Sequence, residues 1–217
     1  LLVEPLLADA RLAPIQAEDG RKDGWGKPLR IGVFREVPVE EGGAKGKSLQ
    51  GEWVELPDGG QVWRWTVESP GAIGIRVHLA DVALPEGCEI AVFATGNPTQ
   101  MRGPYGRKSI GERGEFWTGT VFAERVTVEV YCPPGVAVDG MALKADRIIH
   151  IYRDPVAEAK EGSCHNDVAC HAAWVSTGNG VAGIGTVGES GFLWCTGCLL
   201  NDQEPATFID YFMTANH

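Results

Sequence analysis

The 217-residue sequence lacks any uninterrupted apolar run of the roughly 18 residues that a membrane-spanning helix needs, so we expect no membrane span. Basic residues are scarce, because 19 Lys and Arg stand against 29 Asp and Glu, which gives a formal net charge of −10 at pH 7. Since this charge repels phosphate backbones, we expect no nucleic-acid partner. The N-terminus has no basic segment followed by an apolar one and does not begin with Met, so we expect that a secretory signal has already been removed.

Helical periodicity is also absent from most of the chain, whereas residues that form turns are abundant. The sequence contains 29 Gly and 13 Pro, as is typical of short strands joined by turns. With 44% hydrophobic and 22% charged residues, the composition is that of a globular protein and not of a disordered one. The sequence therefore predicts an all-β fold.

Residues 28–153 carry a succession of short β-type runs, which predicts a β-sandwich domain. The clearest run alternates in character, so that Ile73, Ile75, Val77 and Leu79 share one face. Turn signals separate the runs, among them Gly-Pro-Tyr-Gly at residues 103–106. The strands are predicted at residues 30–35, 62–67, 73–79, 89–94, 115–122, 125–131 and 147–152.

The segments outside the sandwich differ from it in character. Residues 1–27 are mixed in composition and are interpreted as a flexible or loosely docked N-terminal arm. Residues 154–163 are polar, contain Pro155 and predict a linker. A second all-β domain begins in residues 164–217, with strands expected at 181–187, 193–201 and 208–217. This piece of about 55 residues is below the size at which a core usually supports itself, so we expect it to pack on the sandwich or to be completed by further polypeptide.

The six cysteines suit an oxidising compartment, in which disulfides persist. Cys88 opens one predicted strand and Cys132 closes another, so the two form either a sandwich disulfide or two buried free thiols. The spacing of Cys195 and Cys198 would alternatively let two thiolates reach one zinc ion. Cys164 and Cys170 are further candidates for disulfides, and together with the adjacent His165 and His171 they are further candidates for zinc ligands.

Two kinds of ligand site that residue type suggests are not expected. The chain has only one Cys-x-x-Cys, and adjacent Cys and His side chains point in opposite directions in an extended chain, so we expect no metal. The chain also lacks Cys-x-x-Cys-His, the attachment motif of c-type haem, and we expect no cofactor. Aromatic side chains could line a sugar-binding face, but such residues are more often part of a core. These aromatic residues are Trp63, Trp65, Phe116 and Trp117.

A cysteine-rich segment and two later strands resemble a known peptidase family. Residues 162–170 read Gly-Ser-Cys-His-Asn-Asp-Val-Ala-Cys, which resembles the Gly-Ser-Cys-x-x-Asp-Val-x-Cys start of the mature domain in the bacterial lysyl endopeptidase family. This family is a secreted branch of the chymotrypsin-fold serine peptidases. A Cys-Thr-Gly-x-Leu strand at 195–199 and a terminal Thr-Ala-Asn-His at 214–217 follow in the family's order. Earlier segments, such as Ser-Pro-Gly-Ala at 69–72 and Leu-Pro-Glu-Gly at 84–87, resemble the family's prodomain.

The resemblance implies an N-terminal β-sandwich prodomain followed by the first strands of an incomplete chymotrypsin-like β-barrel. His217 matches the catalytic histidine, the general base that takes a proton from a serine hydroxyl and returns it to the leaving amine. Cys195 matches a cysteine that pairs with one just after that histidine, whereas Cys164 and Cys170 match cysteines that pair with distant parts of the peptidase domain. Cys198 departs from the family, which usually has a small hydroxyl residue there.

The same resemblance implies a role for Lys160 in processing. A lysine-specific peptidase that cuts between Lys160 and Glu161 would release a mature chain beginning just before the cysteine-rich segment. We therefore interpret this bond as a processing site in the linker.

The sequence thus predicts the N-terminal part of a secreted serine endopeptidase, one that is inactive as this fragment because the Asp and Ser of the triad have no match in it. The expected partners are a protein or peptide substrate and the remainder of the peptidase domain. The alternative is a non-catalytic β-sandwich module for adhesion, sugar binding or assembly, with a degenerate peptidase remnant as scaffold.

Overall fold

The computed structural model describes residues 3–5, 10–22, 28–38, 51–154, 166–188, 191–201, 203–204, 209 and 211–216. Its secondary structure is mostly β, which confirms the all-β prediction. The strands are β1 (Val3–Pro5), β2 (Leu29–Glu36), β3 (Glu52–Glu55), β4 (Gln61–Glu68), β5 (Gly74–Ala83), β6 (Glu89–Ala94), β7 (Asn97–Tyr105), β8 (Phe116–Trp117), β9 (Arg125–Cys132), β10 (Ala142–Ile151), β11 (Val181–Gly188), β12 (Gly191–Leu200) and β13 (Tyr211–Thr214). The helices are α1 (Leu12–Lys22), α2 (Val175–Gly178) and the 3₁₀ turns Arg107–Ser109, Val168–Cys170 and Ala172–Trp174.

The chain forms two compact units, which are described separately below. The first unit comprises Leu1–Ala10 and Val33–Tyr152, and the second unit comprises Arg11–Gly32 and Arg153–His217. None of the helices that the structure describes is long and apolar enough to cross a membrane.

The first unit is a β-sandwich. One sheet has the strand order β1-β4-β9-β6-β7, with β3 also paired to β4, and only the β1–β4 pair is parallel. In the other sheet β5 lies between β10 and β8, and both pairs are antiparallel. One hydrophobic core cluster takes side chains from both sheets, including Trp65 and Val128 from the first and Val77 and Ile148 from the second. The two sheets therefore pack face to face, as a sandwich requires.

The alternation of residues along the strands explains which side chains form this core. Ile75, Val77 and Leu79 of β5 are fully buried, as the two-residue period of a strand predicts. Ile73 was predicted to share their face, but it is 41% exposed. The reason is that β5 begins at Gly74, so Ile73 lies before the strand and outside its alternation.

Three strands of the sandwich were not predicted, and one predicted strand is much shorter than expected. The additions are β1, in the segment interpreted as an arm, and β3 and β7. β7 runs through Gly103 and Pro104, which were interpreted as a turn. Because β7 is an edge strand, its prolines interrupt no ladder on the outer side. Gly103 is required there, since a Cβ atom would lie 2.7 Å from the carbonyl oxygen of Ile90. The strand predicted at 115–122 is reduced to β8 and an isolated bridge between Val121 and Ile75.

A disulfide closes one end of the sandwich. Cys88 precedes β6 and Cys132 ends β9, and these two strands are antiparallel neighbours. The disulfide joins residues that are 44 positions apart in sequence, with 4.3 Å between their Cα atoms. Both cysteines are buried, so the structure supports the disulfide and not the two free thiols.

The second unit contains a small antiparallel sheet and helix α1. β11 pairs with residues 191–198 of β12 along one side. Along the other side of β12, residues 29–32 of β2 pair with residues 192–194 and β13 pairs with residues 197–200. Helix α1 falls in the segment that was interpreted as an arm. Arg30 of β2 connects to this helix through its guanidinium, which donates to Asp19 Oδ1 at 2.8 Å and to Glu18 Oε2 at 2.9 Å.

Candidate active-site hairpin

The two strands that carry the peptidase resemblance are direct neighbours. β12 and β13 are antiparallel, and their register places Gly197 opposite Thr214 and Leu200 opposite Tyr211. The Cys-Thr-Gly segment therefore lies beside the strand that leads to the Thr-Ala-Asn-His terminus. The structure thus brings together the two sequence motifs that were noted separately.

Gly197 is needed for this pairing because an aromatic ring occupies the place of its side chain. A Cβ atom on Gly197 would overlap the ring of Phe212 and would lie 2.6 Å from the carbonyl oxygen of Met213. Phe212 lies diagonally across the two strands, two residues before the register partner of Gly197. The glycine of the Cys-x-Gly step therefore lets β13 approach β12 closely.

The same glycine–aromatic contact recurs between β11 and β12. The ring of Trp194 covers Gly183, and the ring of Phe192 covers Gly185, where a Cβ atom would overlap it in each case. Both contacts are again diagonal in the register. Rings packed on glycines in this way stabilise glycine-rich strands that would otherwise have little side-chain packing.

A side-chain hydrogen bond closes the end of the hairpin. Thr214 Oγ1 donates to the carbonyl oxygen of Thr196 at 2.9 Å. Thr214 is the last residue of β13, and the backbone ladder with β12 ends at this position. Sequence reasoning did not predict this hydrogen bond of the candidate site, because the register that brings Thr214 beside Thr196 is set by tertiary pairing.

The cysteines of β12 lie on opposite faces of the sheet, because residues three apart in a strand point in opposite directions. Cys195 is in register with Ile184, whereas Cys198 is in register with Val181 and Met213. Two thiolates on opposite faces cannot bind one ion, so the Cys-x-x-Cys zinc alternative does not fit this geometry. Among the residues that the structure describes, no three His, Cys, Asp or Glu side chains are grouped as metal ligands.

Several predicted site residues lie outside the described part of the chain. They are His217, Lys160, Glu161, Cys164 and His165. Cys170 is described, and it is exposed in the 3₁₀ turn Val168–Cys170. The roles given to these residues stay predictions.

Both faces of the small sheet expose large apolar side chains. On the Cys198 face, which carries Val181, Cys198, Leu200, Tyr211 and Met213, the exposed fraction of Tyr211 is 50% and that of Met213 is 53%. On the Cys195 face, which carries Ile184, Cys195, Leu199, Phe212 and Thr214, the exposed fraction of Leu199 is 54%. Strands that are apolar on both faces are typical of a layer that other parts of a protein cover.

The first unit contains a serine–histidine pair that sequence reasoning did not single out. Ser69 Oγ lies 2.7 Å from His150 Nδ1 and accepts a hydrogen bond from Arg35 at 2.7 Å. Ser69 and His150 are almost entirely buried, with 0% and 2% of their surface exposed. Since no substrate reaches a buried hydroxyl, we interpret this pair as a structural contact and not as a second active site.

A second histidine of the sandwich is held by acidic and aromatic neighbours. His78 Nδ1 lies 2.6 Å from Asp146 Oδ1, and its ring packs on Trp117 with 4.7 Å between the centroids. Asp146 occupies an irregularity in the β5–β10 pairing, where the register shifts by one residue. Such a β-bulge redirects a side chain, here toward His78.

One pKa shift is clear in the first unit. Burial lowers the pKa of the Arg76 guanidinium, because desolvation disfavours its charged form, while Tyr105 acts in the opposite direction. Arg76 Nε donates to the carbonyl oxygen of Thr118 at 2.8 Å.

The aromatic residues considered for sugar binding are not gathered on one exposed face, since Trp63 and Trp65 are buried in the core.

The sandwich and the paired motifs of the hairpin together define a peptidase-related all-β chain. The family model of the lysyl endopeptidase N-terminal domain matches residues 3–152, and the model of the lysyl endopeptidase C-terminal domain matches residues 159–217, so the chain belongs to the lysyl endopeptidase family. The lysyl endopeptidase of Pseudomonas aeruginosa is 23% identical over 212 residues, which cover 89% of this chain and 43% of that relative. The chain thus spans less than half the length of this curated relative. No solved structure matches the chain.

Proposed function

We propose that this chain is the N-terminal part of a secreted serine endopeptidase. The sandwich at 28–153 would be its prodomain, 154–163 the processing linker and 164–217 the start of the peptidase domain. The observation that carries the proposal is the pairing of β12 with β13, which places Thr214 opposite Gly197 three residues before His217. The family match over residues 159–217 supports the same interpretation.

In this proposal His217 is the general base of a Ser-His-Asp triad. Its imidazole takes the proton of a serine hydroxyl during attack on the peptide carbonyl, and then gives that proton to the leaving amine. The Asp and the Ser would come from polypeptide that this chain does not contain. Because loss of any triad member lowers the rate by orders of magnitude, we expect no hydrolysis by the 217-residue chain alone.

The exposed sheet of the second unit supports a role for further polypeptide. β11 is paired on one side with β12, and it carries no charged residue or proline that would protect an open edge. With apolar side chains on both the Cys198 face and the Cys195 face, this sheet is suited to burial within a larger β-domain. The remainder of the peptidase domain is the partner that we propose for it.

The substrate class follows from the same proposal. The substrate would be a protein or peptide, cleaved after lysine as the name of the Pseudomonas aeruginosa relative suggests. Cleavage between Lys160 and Glu161 would then separate the sandwich from the peptidase domain. The buried disulfide between Cys88 and Cys132 supports an extracellular site of action, because disulfides persist in oxidising compartments.

The proposal is tested on the full-length gene product. We expect it to react with a serine-directed phosphonate probe and to cleave a lysyl peptide substrate, and we expect His217→Ala to abolish both reactions. Variant Lys160→Gln would block release of a mature chain that begins at Glu161, as read by mass spectrometry. A full-length protein that neither labels nor cleaves would contradict the proposed function.

A further inference from the structure

The hydroxyl of Thr214 makes a contact at the point where the hairpin ends. We infer that Thr214 is a positioning residue for the general base at His217, an inference that rests on the proposed function. It holds the end of β13 on β12 through the bond from its Oγ1 to the carbonyl oxygen of Thr196, at 2.9 Å. In this role Thr214 acts through the strand and not by contact with the reacting atoms.

The place of this bond along the strand is what gives it importance. The backbone ladder of β12 and β13 runs from Leu200 opposite Tyr211 to Gly197 opposite Thr214, and there it ends. From Thr214 the chain continues through Ala215 and Asn216, which belong to no strand. The hydroxyl bond therefore fixes the chain where the segment that leads to His217 leaves the sheet.

A second contact holds the same step of β12 from the same face. Phe212 and Thr214 both lie on the Cys195 face, the ring of Phe212 covers Gly197, and the hydroxyl of Thr214 binds Thr196. The Thr196–Gly197 step is thus contacted by one apolar and one polar side chain of β13. These two contacts oppose both sliding and lifting of the strand end.

Catalysis depends steeply on such fixation. A displacement of the reacting groups by about 1 Å can lower the rate by about a hundredfold, even when the displacing change lies away from the chemistry. Loss of one fixing bond in an otherwise paired strand widens the range of positions that the end can adopt. The step that needs the base would slow, whereas binding of the substrate, made elsewhere in the domain, would change little.

The test compares three variants of the full-length gene product. Thr214→Val keeps the shape of the side chain and removes its donor, and Thr214→Ser restores the donor. Thr186→Val is the matched control, because Thr186 is a threonine of neighbouring β11 for which the described part of the chain shows no side-chain hydrogen bond. Rates are expressed per active site, as titrated with the phosphonate probe, and melting temperatures are measured in parallel.

We expect Thr214→Val to lower kcat about tenfold to a hundredfold with KM unchanged within about twofold, because a positioning loss acts on the chemical step. Thr214→Ser should recover most of kcat, and Thr186→Val should leave kcat as in the wild type. A Thr214→Val protein with wild-type kcat per titrated site, or an equal loss in Thr186→Val, would overturn the inference while leaving the proposed function intact. A wild-type protein that neither labels nor cleaves would overturn both.

Discussion

The two units of the chain use the same kind of strand and treat their apolar side chains in opposite ways. In the first unit, large residues such as Trp65, Ile90 and Ile148 are fully buried between two sheets. In the second unit, Leu199, Tyr211 and others of similar size are about half exposed on a sheet with no second layer among its own described strands. The first unit thus contains its own core, whereas the exposed apolar faces of the second unit agree with the proposal that further polypeptide covers its sheet.

The largest expected effect is the loss of stability when Trp65 of the first unit is truncated, and truncation of Trp174 in the second unit is the comparison. Trp65→Ala should lower the free energy of unfolding by about 3–5 kcal/mol, because it leaves a cavity in the core. Trp174→Ala in the second unit should cost less than about 1 kcal/mol, since that side chain is 62% exposed. Urea unfolding followed by far-ultraviolet circular dichroism measures both. Equal losses for the two variants would break the comparison.

Much of the first unit could be predicted because its information is local. The period of two in Ile75, Val77 and Leu79 is visible in the sequence and decides which side of β5 is buried. β7 could not be predicted, because the use of Gly103 and Pro104 in a strand depends on close approach to Ile90 of another strand. Helix α1 was missed in the segment interpreted as an arm.

The candidate site was predictable to a different extent. The two strands and their motifs were visible, and the opposite faces of Cys195 and Cys198 follow from the strand period alone, so this signal could have excluded the Cys-x-x-Cys zinc site at once. The register of Gly197 with Thr214, the ring of Phe212 on Gly197 and the hydroxyl bond to Thr196 required the folded pairing. Contacts between residues far apart in sequence leave no local pattern.

The next largest effect concerns the disulfide that the first unit has. Replacing both Cys88 and Cys132 by alanine should lower the free energy of unfolding by about 2–4 kcal/mol, because the 44-residue separation that the bond spans no longer restrains the unfolded chain. Cys170→Ser in the second unit should change it by less than about 0.5 kcal/mol, since that cysteine is exposed. Chemical denaturation without reductant measures both. A stable double variant would show that the sandwich does not need the restraint.

A smaller effect is expected from filling a glycine in the second unit. Gly197→Ala should destabilise the hairpin by about 1–3 kcal/mol, because the new methyl group overlaps the Phe212 ring. Gly20→Ala is the control, as nothing lies within 4 Å of its Cβ position and alanine favours helix α1. Hydrogen exchange of the β12 and β13 amides should accelerate in the first variant and not in the second. Unchanged exchange in Gly197→Ala would mean that the ring moves aside freely.

The smallest expected effect sharpens the comparison through charge instead of packing. In the first unit, Arg64 and Glu129 lie directly opposite each other on β4 and β9, with the Arg64 Nε atom 2.6 Å from Glu129 Oε2. The Arg64 side chain is 45% exposed, so water and salt screen the pair. Glu129→Gln should therefore cost only about 0.2–1 kcal/mol at low salt, and less at high salt. In the second unit, Arg30 and Asp19 form a far less exposed pair at 2.6 Å.

Asp19→Asn is the partner experiment, because it replaces one of the two carboxylate partners of the partly buried Arg30 guanidinium by a weaker, neutral acceptor, while Glu18 remains. A hydrogen bond to a charged group contributes about 1.5–3 kcal/mol, and added salt should change the cost of this variant little. Apolar side chains are more buried in the first unit, whereas, of these two ion pairs, the one in the second unit is more buried. Urea titrations at low and high salt measure both variants. If Glu129→Gln proved the costlier change, or if salt weakened both equally, exposure would not be what separates the two ion pairs.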